Sequence, residues 1–157
     1  ESEKGSSIRN AIAKIYVEHG TAEQHDFFLN AIGEINGFGK YQFLQTYHTY
    51  LMKQDESEIK KGTEMYKDVA ANASPWYIKL AGYQLMNGAK GHYTTLVEEA
   101  KAELASTTDD VSKISELEKN ISLYEARAKE MGDTILSLKE KETDSQVLQY
   151  LKQVLRD

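Results

Sequence analysis

Apolar residues that recur at steps of three and four constrain the fold of this chain more than any other feature. The longest such run consists of Ile114, Leu117, Ile121, Tyr124, Ala128, Met131, Ile135 and Leu138. This spacing places side chains on one face of a helix. No stretch shows sustained alternation of apolar and polar residues, which is typical of strands. Pro75 is the only proline, and scarce proline fits long helices because proline removes a backbone donor. The sequence therefore predicts an all-α fold.

Capping residues and glycines divide this pattern into separate helices. Thr21 with Gln24, and Asp55 with Glu58, have the spacing of helix N-terminal caps. The other predicted boundaries are a stop at Gly20, a stop at Gly37, a start at Ser74-Pro75, a break at Gly88–Gly91, a turn at residues 107–110 and a cap at Thr143 with Gln146.

The spacing of these boundaries predicts a repeat architecture. Breaks near Gly20, Asp55 and Gly88–Gly91 are about 35 residues apart, a period typical of stacked helix pairs. We therefore predict stacked antiparallel helix pairs, a HEAT- or armadillo-like superhelix, over about residues 6–91. A long helical hairpin and a terminal helix follow over residues 92–157, within a single helical domain of residues 1–157. We expect the long helix to pack within the chain rather than to dimerise.

Charge and composition narrow the classes of partner. The 157 residues carry a formal net charge of −6 with mixed signs and no basic stripe, so we expect no nucleic-acid partner. No apolar run approaches the roughly 20 residues that span a bilayer, so we expect no membrane span. The chain has no cysteine and hence no disulfide framework. It begins at Glu1 rather than Met, which suggests a piece cut from a longer protein or engineered.

The residues that most often carry chemistry form no recognisable motif. The four histidines are His19, His25, His48 and His92, and none forms the i, i+4 pair of a helical metal site. There is no P-loop and no G-x-S-x-G sequence. Glu98, Glu99 and Glu103 share a helix, and we interpret them as a solvated face. We therefore expect no catalytic residue, no cofactor site and no metal site in this chain.

Aromatic residues are the best candidates for contacts with a partner. Ten tyrosines are numerous for this length, although most lie at core spacing. Aromatic side chains are enriched in binding surfaces, and repeat stacks commonly bind on a concave face. We therefore name Tyr47, Trp76 and Tyr83 as possible contacts on such a face.

Two segments resemble a known enzyme family. They are Gly20-Thr21-Ala22-Glu23-Gln24-His25-Asp26-Phe27-Phe28 and Ser74-Pro75-Trp76-Tyr77-Ile78-Lys79-Leu80-Ala81-Gly82-Tyr83. Together they resemble the C-terminal helical region of M1-family zinc aminopeptidases of Bacteroidetes-like bacteria. The ending is also similar, with a long charged helix, Thr143-Asp144 and a short helix that carries Tyr150.

The resemblance implies a supporting role for the chain within a larger zinc aminopeptidase. The zinc ligands and the glutamate base of the family lie upstream and match no position here. The helical region would pack on its own upstream catalytic domain and help enclose or gate the cavity for peptide substrates. The resemblance slightly favours a periplasmic or secreted bacterial parent.

Two other functions stay open at the level of sequence. The first is a free-standing helical-repeat scaffold that binds a protein or peptide partner on its concave face. The second is a small metal- or ligand-binding helical bundle. A domain cut from a larger enzyme should have one exposed apolar flank, whereas a scaffold should have polar terminal repeats.

Overall fold

The regular structure of this chain is helical. The computed structural model describes the backbone of residues 3–155, with side chains for Ile8, residues 11–153 and Leu155. Within residues 3–155 the elements are α1 (Glu3–His19), a 3-10 turn (Ala22–Gln24), α2 (His25–Glu34), α3 (Gly37–Leu51), α4 (Glu56–Asn72), α5 (Trp76–Ser106), α6 (Val111–Lys141) and α7 (Ser145–Val154). The prediction of an all-α fold is confirmed, while the superhelical stack stays a prediction. Glu1, the residue that suggested a cut chain, lies outside the described residues.

Local capping chemistry starts the early helices as predicted. The backbone N–H of Thr21 donates to Oε1 of Gln24 at 2.6 Å, and this capping box opens the 3-10 turn that leads into α2. The N–H of Glu58 donates to Oδ1 of Asp55 at 3.0 Å at the start of α4. Each cap satisfies a backbone donor that the first helical turn leaves unpaired.

The predicted break at Gly88–Gly91 is wrong, because α5 continues through both glycines. A glycine inside a helix costs only about 1 kcal/mol relative to alanine. Ala89 and Tyr93 alternate with these glycines and are buried, so their packing outweighs that cost. The third boundary of the proposed 35-residue period is therefore missing.

Three smaller boundaries also differ from the predictions. Gly37 begins α3, with a φ of 62°, a left-handed conformation that glycine adopts without steric cost. Helix α5 begins at Trp76, one residue after the predicted first position. The cap of α7 is Asp144 rather than Thr143, since the Asp144 carboxylate accepts the N–H groups of Gln146 and Val147.

The chain divides into two compact units, residues 1–85 with 142–157, and residues 86–141. The core of the first unit is aromatic, and Phe28, Tyr47, Tyr50 and Tyr66 are fully buried. The ring of Phe28 lies 4.7 Å from that of Tyr50, and the ring of Tyr47 meets that of Tyr66 edge-on at 6.0 Å. Aromatic rings bury more apolar area per residue than aliphatic side chains, so this cluster stabilises α2, α3 and α4 against each other.

The second unit is built from the C-terminal part of α5 and from α6. The rings of Tyr93 and Tyr124 lie 6.2 Å apart, and Lys101 donates to Glu125 at 2.6 Å. Leu117, Met131 and Ile135 are buried members of the predicted seam. The long helix of the predicted hairpin is thus present as α6 and packs within the chain. The single domain of residues 1–157 stays a prediction.

Candidate functional site

An aromatic pocket opens on the surface of the first unit. Its volume is about 530 Å³, and it is lined by Phe38 and Tyr41 of α3, Trp76, Tyr77, Leu80 and Gln84 of α5, and Tyr150 of α7. Ligand pockets typically measure about 300–1,000 Å³ and are lined mostly by apolar and aromatic side chains. We refer to these seven residues as the aromatic pocket.

Four of the five rings of the aromatic pocket form two stacked pairs, and the ring of Tyr77 meets that of Trp76 edge-on. The rings of Trp76 and Tyr150 lie 5.2 Å apart with 9° between their planes. Those of Phe38 and Tyr41 lie 5.8 Å apart with 14° between their planes. Each stacked pair is favoured by about 0.5–1.5 kcal/mol, which favours the ring orientations that the pocket shows.

The start of each helix determines where these rings lie. Phe38 follows Gly37, whose left-handed backbone turns the chain into α3. Trp76 is the first residue of α5. The pocket therefore forms where the first turns of α3 and α5 meet α7, which brings Tyr150.

Glu142 attaches α7 to α5 and so positions Tyr150. The buried Glu142 carboxylate accepts hydrogen bonds from Lys79 Nζ at 2.8 Å and from the Tyr83 hydroxyl at 3.2 Å. It also accepts the backbone N–H groups of Thr143 and Asp144, just before α7. Burial raises the pKa of Glu142, but the bonds from Lys79, Asp144 and Tyr83 outweigh burial and lower it below the usual 4.5.

The three predicted contact residues have different positions. Trp76 lines the aromatic pocket. Tyr47 and Tyr83 are buried, with 0% and 1% of their surface exposed, and in this fold they present no surface to a partner. Tyr83 instead donates to Glu142. Burial, followed by the nearby Glu142 carboxylate, raises the pKa of Tyr83, so its hydroxyl stays protonated as a donor.

Sequence reasoning did not select the other rings of the pocket. Phe38 lies in a Gly-Phe-Gly segment, which indicates only a connection between helices. The usable signal was the pair Phe38 and Tyr41, two aromatic side chains three residues apart at the start of a helix, which therefore lie on one face. The association with Trp76 and Tyr150 depends on tertiary packing.

A second cluster of polar side chains in the first unit links three helices. His25 of α2 has no exposed surface, and its Nδ1 is hydrogen-bonded to the Glu58 carboxylate of α4. Its Nε2 lies 2.5 Å from the hydroxyl of Tyr47 of α3. Burial raises the pKa of Tyr47, and the nearby Tyr50 and Glu58 raise it further. The Tyr47 phenol therefore remains protonated and donates to His25.

The imidazole and the phenol of this arrangement are buried, and the Glu58 carboxylate is partly buried. Both nitrogens of His25 are engaged, and neither His25 nor Tyr47 is exposed to a substrate. His48 likewise pairs with Tyr66, at 2.9 Å between Nδ1 and the hydroxyl. Among the described residues, no group of three or more histidines and carboxylates has the arrangement of a metal site.

Exposed apolar side chains lie at described positions of α1 and α2. Ile8, Ile12 and Ile15 are spaced at four and three residues on α1 and are 62%, 42% and 60% exposed. Phe27 of α2 is 52% exposed and lies with Ile12 around a small cavity of about 80 Å³, so the two helices share the face. We refer to these four residues as the α1–α2 face. Contiguous apolar surface of this kind is typical of interaction sites.

Comparison with known proteins gives no relative for this chain: no family model, no curated protein and no solved structure matches it. Within the part of the chain that the structure describes, no helix is long and apolar enough to cross a membrane.

Proposed function

We propose that this chain is a non-catalytic helical domain that docks on another folded domain through the α1–α2 face. The observation that carries the proposal is the exposure of Ile8, Ile12, Ile15 and Phe27 on adjoining helices. Removing apolar surface from water is favourable by about 25 cal/mol per Å². A domain partner that covers these side chains would therefore gain affinity from each of them.

The partner that we propose is the catalytic domain of an M1-family metallo-aminopeptidase. Support comes from the resemblance of residues 20–28 and 74–83 to the C-terminal helical region of that family. In this proposal the chain packs on the catalytic domain and helps enclose or gate the peptide cavity. The zinc belongs to the catalytic domain, and no residue of this chain is assigned to it.

The docking face is tested by charge substitution in the isolated chain. Ile15→Lys places an ammonium group on the α1–α2 face, and Leu136→Lys is the matched control, since Leu136 is similarly exposed on α6. We expect the wild-type chain to self-associate in sedimentation experiments through its uncovered face, Ile15→Lys to be monomeric and Leu136→Lys to behave as wild type. A wild-type chain that stays monomeric at high concentration contradicts the docking face.

A second experiment tests the non-catalytic role. We expect the purified chain, freed of host peptidases, not to hydrolyse aminoacyl anilides. Zinc-dependent hydrolysis by this chain alone would refute a supporting role.

A free-standing scaffold that binds a protein or peptide is the alternative function, and the aromatic pocket favours it. The pocket contains two stacked pairs of rings and lies on residues separate from the α1–α2 face. A scaffold needs no catalytic domain, so it is expected as a native protein of the chain's own mass. The two functions therefore differ in the size of the native product.

A further inference from the structure

We propose that the aromatic pocket binds a proline-rich peptide segment in the polyproline II conformation. None of the pocket residues belongs to the α1–α2 face, so this inference is independent of the docking function. It assigns a ligand class to a surface that the docking function does not use.

The shape of the pocket suits this ligand. Proline-rich segments dock in grooves lined by aromatic side chains, because the rigid left-handed helix lays flat pyrrolidine rings against flat aromatic rings. Here one stacked pair comes from α3, and the other comes from Trp76 and Tyr150. Leu80, which is buried, contributes apolar surface between these helices. The polyproline helix is rigid before it binds, which limits the entropy lost on binding.

The hydrogen-bonding groups of the pocket also match those of a polyproline segment. The Trp76 indole N–H can only donate, and the hydroxyls of Tyr41, Tyr77 and Tyr150 can donate as well. A polyproline segment offers backbone carbonyl acceptors and no N–H donor. The pocket therefore presents donors to a ligand made of acceptors.

The same lining disfavours two other ligands that aromatic surfaces bind. Among the residues that the structure describes, no charged side chain lines the pocket, so a quaternary ammonium group would find aromatic rings there but no described carboxylate to balance its charge. A sugar carries many hydroxyl groups that need hydrogen-bond partners. Gln84 and the phenols offer few such partners, and the lining is mostly carbon. A neutral, apolar ligand that is rich in carbonyl groups is therefore most complementary to the residues that line the pocket.

Trp76 provides the measurement, because it is the only tryptophan in the chain and lies in the pocket. The intact chain is titrated with acetylated octaproline amide while tryptophan fluorescence is recorded. We expect a saturable shift of the emission, and no shift with a glycine–serine peptide of equal length. We expect the Ile15→Lys variant to bind octaproline as wild type does, which separates this inference from the docking function.

Matched phenylalanine variants test the site. Phe38 is 62% exposed in the pocket, and Phe27 is 52% exposed on the α1–α2 face. Loss of one aromatic contact weakens binding about tenfold, so we expect that loss for Phe38→Ala and wild-type affinity for Phe27→Ala. The helical circular dichroism signal is used to check that both variants are folded. We expect this because both replaced side chains are largely exposed.

Three results would overturn the inference. The first is no fluorescence change at millimolar octaproline. The second is equal affinity in Phe38→Ala and the wild type. The third is a saturable response to cellohexaose or to a trimethyllysine peptide without a response to octaproline, which would assign the pocket to a sugar or to a quaternary ammonium ligand.

Discussion

The close approach of α4 and α5 at Gly82 leads to a quantitative prediction. A Cβ atom added at Gly82 would lie 2.5 Å from the backbone N of Ala70 and 2.8 Å from the carbonyl O of Tyr66. Both are backbone atoms of α4, so the clash is relieved only if the two helices move apart. Overpacking of this kind costs about 1–3 kcal/mol, and we take about 3 because backbone must move. Alanine regains about 1 kcal/mol of helix propensity, which leaves a net loss of about 2 kcal/mol for Gly82→Ala.

Gly91→Ala is the matched control on the same helix. A Cβ atom added at Gly91 meets nothing within 4 Å. Only the propensity gain of about 1 kcal/mol remains, so this substitution should stabilise the protein. For a chain of this size, 1 kcal/mol corresponds to about 2–4 °C in Tm. We expect Gly82→Ala to lower Tm by about 4–8 °C and Gly91→Ala to raise it by about 2–4 °C in thermal unfolding followed by circular dichroism.

Each variant tests one structural feature: Gly82→Ala tests the contact between α4 and α5, and Gly91→Ala tests the continuity of α5. A Gly82→Ala protein as stable as wild type would mean that α4 and α5 do not approach through Gly82. A Gly91→Ala protein of lower Tm would mean that residues 88–91 form a break, as the sequence suggested, rather than the interior of α5.

Two further substitutions test the buried polar groups. The pKa of Glu142 is lowered in the folded chain, so its charged form adds stability that is present above the unfolded value near 4.5 and lost as the pH falls through the folded pKa. Tm should therefore fall less steeply below pH 4.5 in Glu142→Gln than in wild type, and parallel pH profiles would contradict this. Tyr47→Phe removes the donor to the buried Nε2 of His25 and should cost about 1–3 kcal/mol in urea unfolding, whereas an unchanged midpoint would mean that this hydrogen bond adds no stability.

Local signals in the sequence predicted much of the helical framework. The caps at Thr21 and Asp55 and the turn at residues 107–110 depend on residues within one helical turn, and the structure has all three. Gly88 and Gly91 misled the interpretation because a glycine stops a helix only if tertiary contacts do not favour its continuation. Burial of Ala89 and Tyr93 supplies those contacts, and no local pattern reveals them.

The candidate sites were less predictable. Trp76 was selected because of its residue type and lines the pocket, while Tyr47 and Tyr83, selected on the same ground, are core residues. Burial of a tyrosine depends on helix packing, which spacing alone does not give. The isoleucines of α1 have core spacing yet are exposed. An apolar stripe reveals that a helix is amphipathic but does not reveal whether its partner lies in the same chain.

The size of the native gene product tests the central claim most directly. Antiserum raised against this chain would be used to probe the source cells by immunoblot, and the captured protein would be assayed for aminopeptidase activity with and without a chelator. The proposed function predicts a band several times larger than 17.8 kDa and activity that the chelator abolishes. A band at 17.8 kDa, or a larger protein without such activity, would contradict a supporting domain of a metallo-aminopeptidase.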